Sequence, residues 1–480
     1  MPRRTKIVAT LGPATDPVPV TDAILAAGVD VVRLNLSHDS HDRHRERAQR
    51  IRERAQAAGH EIAILMDLQG PKIRIGKFTE GKIQLGHGDA FAIDIHCGIE
   101  DGSQTQVGTT YTQLPEDVRH GDTLLLDDGS IELWVDSVAN GRIDCKVVVG
   151  GALSNNKGIN KKGGGLSAPA LTDKDKDDIR FAADLDADYL AVSFVRNAED
   201  VRLARELFHQ AGGRGGIVAK IERAESLKCI DEIINAADAI MVARGDLGVE
   251  IGDAELPAVQ KHLISRAREL NAVVITATQM MQSMIDSPIP TRAEVFDVAN
   301  AVLDGTDAVM LSAESSIGKN PAKVVEALDR ICLEAEKSVT RSGHRLDSVF
   351  GRVDEGIAMA AMYTANHLGV KAIAALTETG STVKWMSRIS SGIPIYGMTR
   401  FEPTRRKVRL FRGVYPVAFD VASTDIHEVN REVIEELLRR GTVQNGDLVI
   451  ITKGDRSGVE GQTNIMKIMR VGEHKLLNED

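Results

Sequence analysis

Cysteine is scarce: Cys97, Cys145, Cys229 and Cys332 lie far apart in 480 residues and form no CxxC pair. That spacing speaks against a disulfide framework or a structural zinc site and points to a reducing cytosol. No apolar run approaches the ~20 residues of a membrane span. The opening MPRRTKIVATLGPATD is basic, but its apolar stretch is too short and interrupted for a signal peptide. The expectation is a cytoplasmic chain with no membrane partner. Charge of one sign is not gathered anywhere: 59 basic and 69 acidic residues leave a net −10 spread along the chain. This argues against nucleic acid and anionic lipid as partners. Also missing are GxxxxGK[ST], a GxGxxG after a strand, and GxSxG, so neither a P-loop, a Rossmann cofactor site nor a nucleophile elbow is indicated. There is no low-complexity tract and no solenoid repeat.

What is present is enough chain for about three domains, with 42% apolar and 27% charged residues as in ordinary globular proteins. Short runs rich in Val, Ile, Ala and Leu begin at Lys6, Val29, Glu61, Asp188, Gly216, Ala239, Ala272 and Ala308. Continuous apolar runs of this kind are parallel strands buried on both faces. Helix-like segments such as AEDVRLARELFHQAGG lie between them, and eight strand–helix pairs make a (β/α)8 barrel. One interval is far too long for a single crossover. Residues 72–168 alternate in polarity with turn signals between, which predicts a small, mostly antiparallel β domain inserted after the third strand, at the active-site face. The barrel therefore takes residues 1–71 and 169–345, and residues 346–480 form a separate open α/β domain.

Polar residues cluster where barrel strands end: Arg33 to His38, Asp67 to Gly70, Lys220 to Glu222, Ala243 to Asp246, Thr276 to Gln279 and Ser312 to Glu314. Adjacent parallel strands are ~4.8 Å apart, so Glu222 and Asp246 can share one cation. Two carboxylates with open positions suit Mg²⁺, with Mn²⁺ as an alternative. His and Cys are absent from these strand ends apart from His38, which argues against zinc. The bland alternative is that both acids merely pair with Arg244 or Lys220. Lys220 could neutralise a transferring phosphoryl group or an enolate, and Arg33 and Arg74 could clamp phosphate oxygens. If a helical turn opens at Leu247, its free N–H groups would bind a substrate carboxylate beside the Thr278 hydroxyl.

Together these stretches resemble the pyruvate kinase family: TKIVATLGPAT, RLNLSH, DLQGPKIR, LLDDG, NNKGIN, AVSFVR, AKIERAE, MVARGDLGVEI, TATQMMQSMI and the run from PTRAEV to LSAE, with SRISSGIPIYGMT in the tail. The resemblance implies phosphoryl transfer from phosphoenolpyruvate to ADP, giving pyruvate and ATP, with the insertion as a lid and a homotetrameric assembly. By position, it implies Mg²⁺ on Glu222 and Asp246, and Lys220 on the phosphoryl group and enolate. Ala243, Arg244, Gly245, Asp246 and Thr278 would take the carboxylate. Thr278, Ser312 and Glu314 would share the proton-delivery network. Arg33 and Arg74 would meet phosphates, with Pro13, Asn35, His38 and Lys157 near the nucleotide.

Two positions depart from that family. Its K⁺ site commonly uses Asn, Ser, Asp and Thr, with a Glu after the QGP-type turn. Here Asn35, Ser37 and Asp67 remain, but Leu68 and Lys72 stand at the Thr and Glu positions, so the Lys72 ammonium is expected to replace K⁺. Asp39 stands where glycine is usual. In the tail, Thr377, Thr379, Gly380, Ser381 and Thr382 between a strand and a helix could cradle a phosphate, completed by Lys453 to Asp455 and Thr463–Asn464. Resemblance to the lysine-containing bacterial type implies a sugar monophosphate or AMP as activator. A Mg²⁺-dependent lyase or aldolase and a catalytically dead sensor are the competing readings. The lid, Lys220 and the arginine pair favour the kinase over the first, and the presence of Lys220, Glu222, Asp246 and Thr278 disfavours the second.

Overall fold

The eight apolar runs close on one another as parallel strands in the computed structural model, whose described residues are 2–338, 350–421, 426–454 and 463–473. The first three are β1 (Lys6–Thr10), β2 (Val31–Asn35) and β3 (Ala63–Asp67). An inserted segment then supplies β4 (Lys82–Leu85), β5 (Ala90–Asp94), β6 (Gln106–Val107), β7 (Thr123–Leu126), β8 (Ile131–Ala139), β9 (Arg142–Val149), β10 (Gly151–Ser154) and β11 (Ile159–Lys161). The barrel resumes with β12 (Tyr189–Val192), β13 (Gly216–Ile221), β14 (Ala239–Ala243), β15 (Val273–Ala277) and β16 (Ala308–Leu311), and closes in the order β1-β16-β15-β14-β13-β12-β3-β2.

Two apolar layers explain why these runs lack a polar face. Ile7, Val32, Ile64, Leu190, Ile217, Ile240, Val274 and Val309 point outward onto the crossover helices. Val8, Val31, Leu65, Tyr189, Val218, Met241, Ile275 and Met310 fill the interior, which is a packed core rather than a pore.

The insertion is mostly antiparallel, as its alternating polarity predicts: a six-stranded sheet β11-β7-β8-β9-β5-β6 and a separate β10-β4 pair, with only β5 and β6 parallel. It encloses its own core around Phe91, Leu124, Leu133 and Val147. The tail carries β17 (Ala372–Leu376), β18 (Ile395–Thr399), β19 (Val414–Ala418), β20 (Leu448–Gly454) and β21 (Thr463–Arg470) in the order β19-β18-β17-β20-β21, with β21 antiparallel.

The sequence reading did not anticipate how the tail meets the barrel. Asp30, Asp188, Asp238 and Asp307 each stand one residue before β2, β12, β14 and β16, which are alternate strands. Each carboxylate accepts the N–H of a residue starting the neighbouring strand: Ile7 (3.0 Å), Ile64 (2.8 Å), Ile217 (2.9 Å) and Val274 (3.0 Å). Three of them also take a tail arginine: Asp30 pairs with Arg409 at 2.8 Å, Asp188 with Arg406 at 2.9 Å and Asp307 with Arg388. The barrel floor is thus an acidic ring on which a basic tail face is seated. The apolar interior continues through it into Met362, Val383 and Val414 of the tail.

Candidate active site at the barrel mouth

The opposite end of the barrel holds a connected run of charges. Arg33, third in β2, donates from Nη1 to Thr10 Oγ1 (3.0 Å) and from Nε to Asp67 Oδ2 (2.6 Å). The other Asp67 oxygen lies 3.2 Å from Lys220 Nζ, which is 3.0 Å from Glu222 Oε1 and donates to Ser193 Oγ at 2.6 Å. The chain Thr10–Arg33–Asp67–Lys220–Glu222 therefore crosses the mouth through the ends of four strands. Asp67, Lys220 and Glu222 are all buried, where interactions between charges are strong.

The electrostatics follow from this packing. Burial alone would lower the Lys220 ammonium, but Asp67 and Glu222 outweigh it and the net shift is upward, so the side chain is a cation at neutral pH. Burial raises the Glu222 carboxyl, and Asp246 adds to the rise while Lys220 opposes it. Glu222 and Asp246 are thus close enough to repel. That fits a divalent cation between them, although among the described residues no cluster of three or more acidic, His or Cys groups stands ready for one. Two protein carboxylates with the rest of the shell open is the arrangement Mg²⁺ accepts.

Strained backbone holds these groups. Phe194, two residues after β12, has φ 54°, and its N–H donates to Glu222 Oε2 at 2.7 Å. Gly70 at φ 68° makes room for that bend, because a Cβ there would lie 2.8 Å from both Phe194 Cδ2 and Ser193 Cβ. Thr278 and Gln279, after β15, are also left-handed at φ 67° and 54°. A β-branched residue in that region is a genuine outlier, of the kind that gathers at functional sites. Thr278 Oγ1 accepts the Gly245 N–H at 2.8 Å and donates to the Ala277 carbonyl at 2.7 Å.

Several expectations change against this geometry. The helix expected from Leu247 begins at Arg244, with Ala243 as its N-cap, and runs to Ile251. The free N–H groups therefore belong to residues 244–246, and that of Gly245 is already met by Thr278. The Arg244 guanidinium turns away from the mouth, donating from Nη2 to the Thr278 carbonyl (2.7 Å) and pairing through Nη1 with Asp297 (2.7 Å). Neither acid pairs with Arg244. Lys72 meets Asp246 Oδ1 at 3.6 Å, while Asp67 is held by Arg33 and Lys220. Glu314 is fully buried, and its oxygens accept the N–H groups of Met281 (3.2 Å) and Ser312 (2.7 Å), which makes it a clamp between two strand ends. Asn35 accepts the Ser37 N–H at 3.2 Å, and Pro13 and His38 are exposed. Asp39 has φ 62°, which explains glycine as the ordinary occupant, and its carboxylate pairs with Arg47 at 2.5 Å.

Arg74 and Lys157 belong to the insertion rather than to the charge run. Arg74 donates to the Asn156 carbonyl at 2.9 Å, and Lys157 pairs with Asp127 at 2.7 Å. In the tail, Gly380 N–H donates to Thr377 Oγ1 (3.0 Å), Thr379 and Ser381 share a hydrogen bond (2.9 Å), and Thr382 Oγ1 is spent on Thr463 (2.7 Å). Asp455 lies outside the described residues.

Ser193, Phe194 and Glu250 escaped the sequence reading. Ser193 is a polar break in AVSFVR. Glu250 sits in a cleft under the insertion with Lys72, Arg223 and Asp246. Its Oε2 accepts Ala224 N–H at 2.8 Å and its carbonyl accepts Gly163 N–H at 2.9 Å, so it fastens the insertion to the barrel. Burial pushes its carboxyl up to about 7. A folded value above the unfolded one means that stability is fully present below the unfolded carboxylate value, ~4.3, and lost as pH rises through 7. Glu250→Gln, which keeps an acceptor, is therefore expected to raise the thermal midpoint at pH 8 and to leave it nearly unchanged at pH 5. Melts from pH 5 to 8.5 check this, and parallel pH slopes for parent and variant would refute it.

Comparison with known proteins follows the same outline. The family profile "Pyruvate kinase, barrel domain" matches residues 2–325, and "Pyruvate kinase, alpha/beta domain" matches residues 355–469. The chain is 55% identical over 475 residues to "Pyruvate kinase II" of Salmonella typhimurium, covering 98% of this chain and 99% of that one. It is 52% identical to a "Pyruvate kinase" of Haemophilus influenzae with the same coverage. Its fold is similar to the crystal structure of a pyruvate kinase from Cryptosporidium parvum, with TM-score 0.91, 34% identity, and 98% and 96% of the two chains covered.

Proposed function

The chain belongs to the pyruvate kinase family and is a phosphotransferase, and from that membership we propose that it moves the phosphoryl group of phosphoenolpyruvate to ADP at the barrel mouth, with Mg²⁺ held by Glu222 and Asp246. The observation that carries this assignment of residues is the buried charge run, in which one ammonium, Lys220, lies 3.0 Å from Glu222, whose carboxyl is pushed upward by burial and by the neighbouring Asp246.

Asp67, Glu222 and Asp246 balance Arg33, Lys72 and Lys220, so the protein groups are neutral as a set. When bound, the metal supplies the positive charge that an anionic substrate requires and polarises its oxygens. Lys220 stays protonated and neutralises the charge that gathers on the phosphoryl group and then on the enolate; phosphoryl transfer is mostly positioning of this kind. Arg33, held by Thr10 and Asp67, presents its remaining N–H groups to the phosphate. The N–H groups at the start of helix Arg244–Ile251 cradle the substrate carboxylate, and Arg244 acts by fastening the strained 277–278 turn. The Thr278 hydroxyl lies at that cradle as the group from which protonation of the enolate is organised, with Ser312 and Glu314 fixing the neighbouring strand end. The insertion brings Arg74 and Lys157 towards the nucleotide, near Pro13, Asn35 and His38. We assign the reaction to the cytoplasm, the assembly to a homotetramer, and the 377–382 loop to a sugar monophosphate or AMP.

Lys72 carries the charge that K⁺ carries elsewhere: its ammonium already lies against Asp246 and adds a fixed cation to the site. Pyruvate formation that requires ADP and Mg²⁺ tests the whole reading. Rates in Na⁺ or tetramethylammonium are expected within about twofold of those in K⁺, whereas Lys72→Glu should acquire a K⁺ requirement. Collapse without K⁺ and rescue by it in the parent enzyme would overturn K⁺ independence while leaving the kinase assignment standing.

A further inference from the structure

Asp39, the acid at a position where glycine is usual, has no part in the chemistry described above. It stands in one of the two segments assigned to the nucleotide. The first segment follows β1 and holds Pro13 to Asp16; the second follows β2 and holds Leu36 to Ser40. β1 and β2 are neighbours in the barrel, so both segments leave its mouth side by side. The helix His41–Ala57, which continues the second segment, sends Arg47 back to both.

Arg47 joins them with all three of its nitrogens. Nε and Nη2 fork onto the two Asp16 oxygens at 2.7 and 2.9 Å, and Nη1 meets Asp39 Oδ2 at 2.5 Å. Its side chain is only 4% exposed. Exposed ion pairs count for little, but a buried guanidinium with a bidentate carboxylate is the exception. Its hydrogen bonds hold both carboxyls below their usual range, so both are charged at neutral pH. From the same helix, His44 Nε2 donates to the His38 carbonyl at 2.8 Å, and burial holds that ring below its ordinary value and therefore neutral. Asp39 itself is left-handed at φ 62°. Such a conformation persists where surrounding contacts over-determine it, and the Arg47 pair is one of them. Arg50 Nη1 also reaches Asp16, at 3.3 Å, so two arginines and two aspartates cancel and the acid presents no net negative charge to a nucleotide.

We propose that Asp39 and Arg47 are positioning residues for the nucleotide: they strap the segment after β1 to the segment after β2, so that Pro13 and His38 meet ADP as one fixed surface. This rests on the nucleotide placement proposed above. With the strap cut, each segment must be ordered when ADP binds, and that cost falls on affinity for ADP rather than on the chemical step. Charge alone has the opposite sign. Removing the Asp39 carboxylate leaves the group of four with a net positive charge, which would attract an anionic nucleotide and lower its Michaelis constant.

The test is steady-state pyruvate formation, varying ADP and phosphoenolpyruvate in turn with the other saturating, and with thermal melts to establish folding. Asp39→Asn keeps a residue that tolerates the left-handed backbone but removes the charge, and Asp39→Gly also relieves the backbone. Both are expected to raise KM for ADP at least about threefold, with kcat and KM for phosphoenolpyruvate within about twofold of the parent. Arg47→Lys, which can hold one carboxylate but cannot fork across both, should do the same, and adding Asp39→Asn to it should change little more. Asp22→Asn breaks the pair with Arg54 farther along the same helix (2.6 Å) and should leave both constants unchanged. An unchanged or lowered KM for ADP in both Asp39 variants, or equal rises for both substrates, would overturn the proposal. His38→Ala then separates the two failures. If it raises KM for ADP, the nucleotide placement stands and only the strap falls; if it has no effect either, both fall together.

Discussion

Lys220→Met should lower kcat by about 10³-fold or more while the Michaelis constant for phosphoenolpyruvate changes far less, because the ammonium serves charge that develops during transfer. Methionine fills the same volume without the charge. Two further consequences follow from the packing. Lys220 is what opposes burial and Asp246 at the Glu222 carboxyl, so its removal raises that carboxyl further. Protons then compete better with metal, and the Mg²⁺ concentration for half-maximal rate should increase, more at pH 6.5 than at pH 8. Asp67 keeps Arg33, which limits the structural damage. Steady-state rates against Mg²⁺ at the two pH values, with a thermal melt to establish folding, make the measurement. A folded variant within tenfold of the parent kcat would remove Lys220 from the proposed chemistry. Lys220→Arg serves as a second case: it keeps the charge but not a point donor fitted between Ser193, Asp67 and Glu222.

Why the barrel was legible in the sequence, and parts of the site were not, comes down to range. A strand buried on both faces must be apolar at every position, so Ala239–Ala243 or Val273–Ala277 declares itself without reference to anything distant. Long alternating strands such as Ile131–Ala139 do the same for the insertion. The three-residue β11 and two-residue β6 carry too little pattern to stand out, and β11 forms only against β7, with β8, β9 and β10 between them in the chain. Polar residues at strand ends were visible as types, which is why Lys220, Glu222 and Asp246 could be singled out. Their partners were not, because Asp67 meeting Lys220, or Lys72 meeting Asp246, depends on barrel closure and on how the insertion folds back. The left-handed turns at Phe194 and Thr278 break local preference, so no propensity argument reaches them. The acidic ring is an instructive miss. The aspartates in VDVVRLN, ADYLAV, ADAIMVA and TDAVML stand in plain sight before four strands, but the role of three of them in seating the tail appears only once its arginines are known to lie beneath them.

That ring supplies the second large effect. Arg406 is 8% exposed and Asp188 3% exposed in side-chain terms, with Nε 2.9 Å from Oδ1. Burial holds the Asp188 carboxyl up to about 6 even with Arg406 beside it. Arg406→Met leaves that carboxylate with the Ile64 N–H and little else, so the seating of the tail on the barrel should lose about 3–5 kcal/mol, the usual cost of breaking a buried pair from one side. The sign of the pH dependence is fixed by the same numbers. The Asp188 value is raised above its unfolded one, and loss of Arg406 raises it more. Stability that is present below ~pH 4 is therefore lost as pH rises through 6 and beyond, and the variant should suffer more at pH 8 than at pH 5. Adding Asp188→Asn removes the stranded charge while keeping an acceptor for Ile64 N–H, so Asp188→Asn with Arg406→Met should be more stable than Arg406→Met alone. A thermal-melt cycle over the parent, both single variants and the double, repeated at pH 5 and 8, reads the coupling directly. Strictly additive losses would show that Arg406 works through its other partners, Glu402 and Asp186. The barrel mouth is untouched by these changes, so rates per folded molecule should persist, and a fall in kcat without a fall in stability would place the ring in communication with the active site instead.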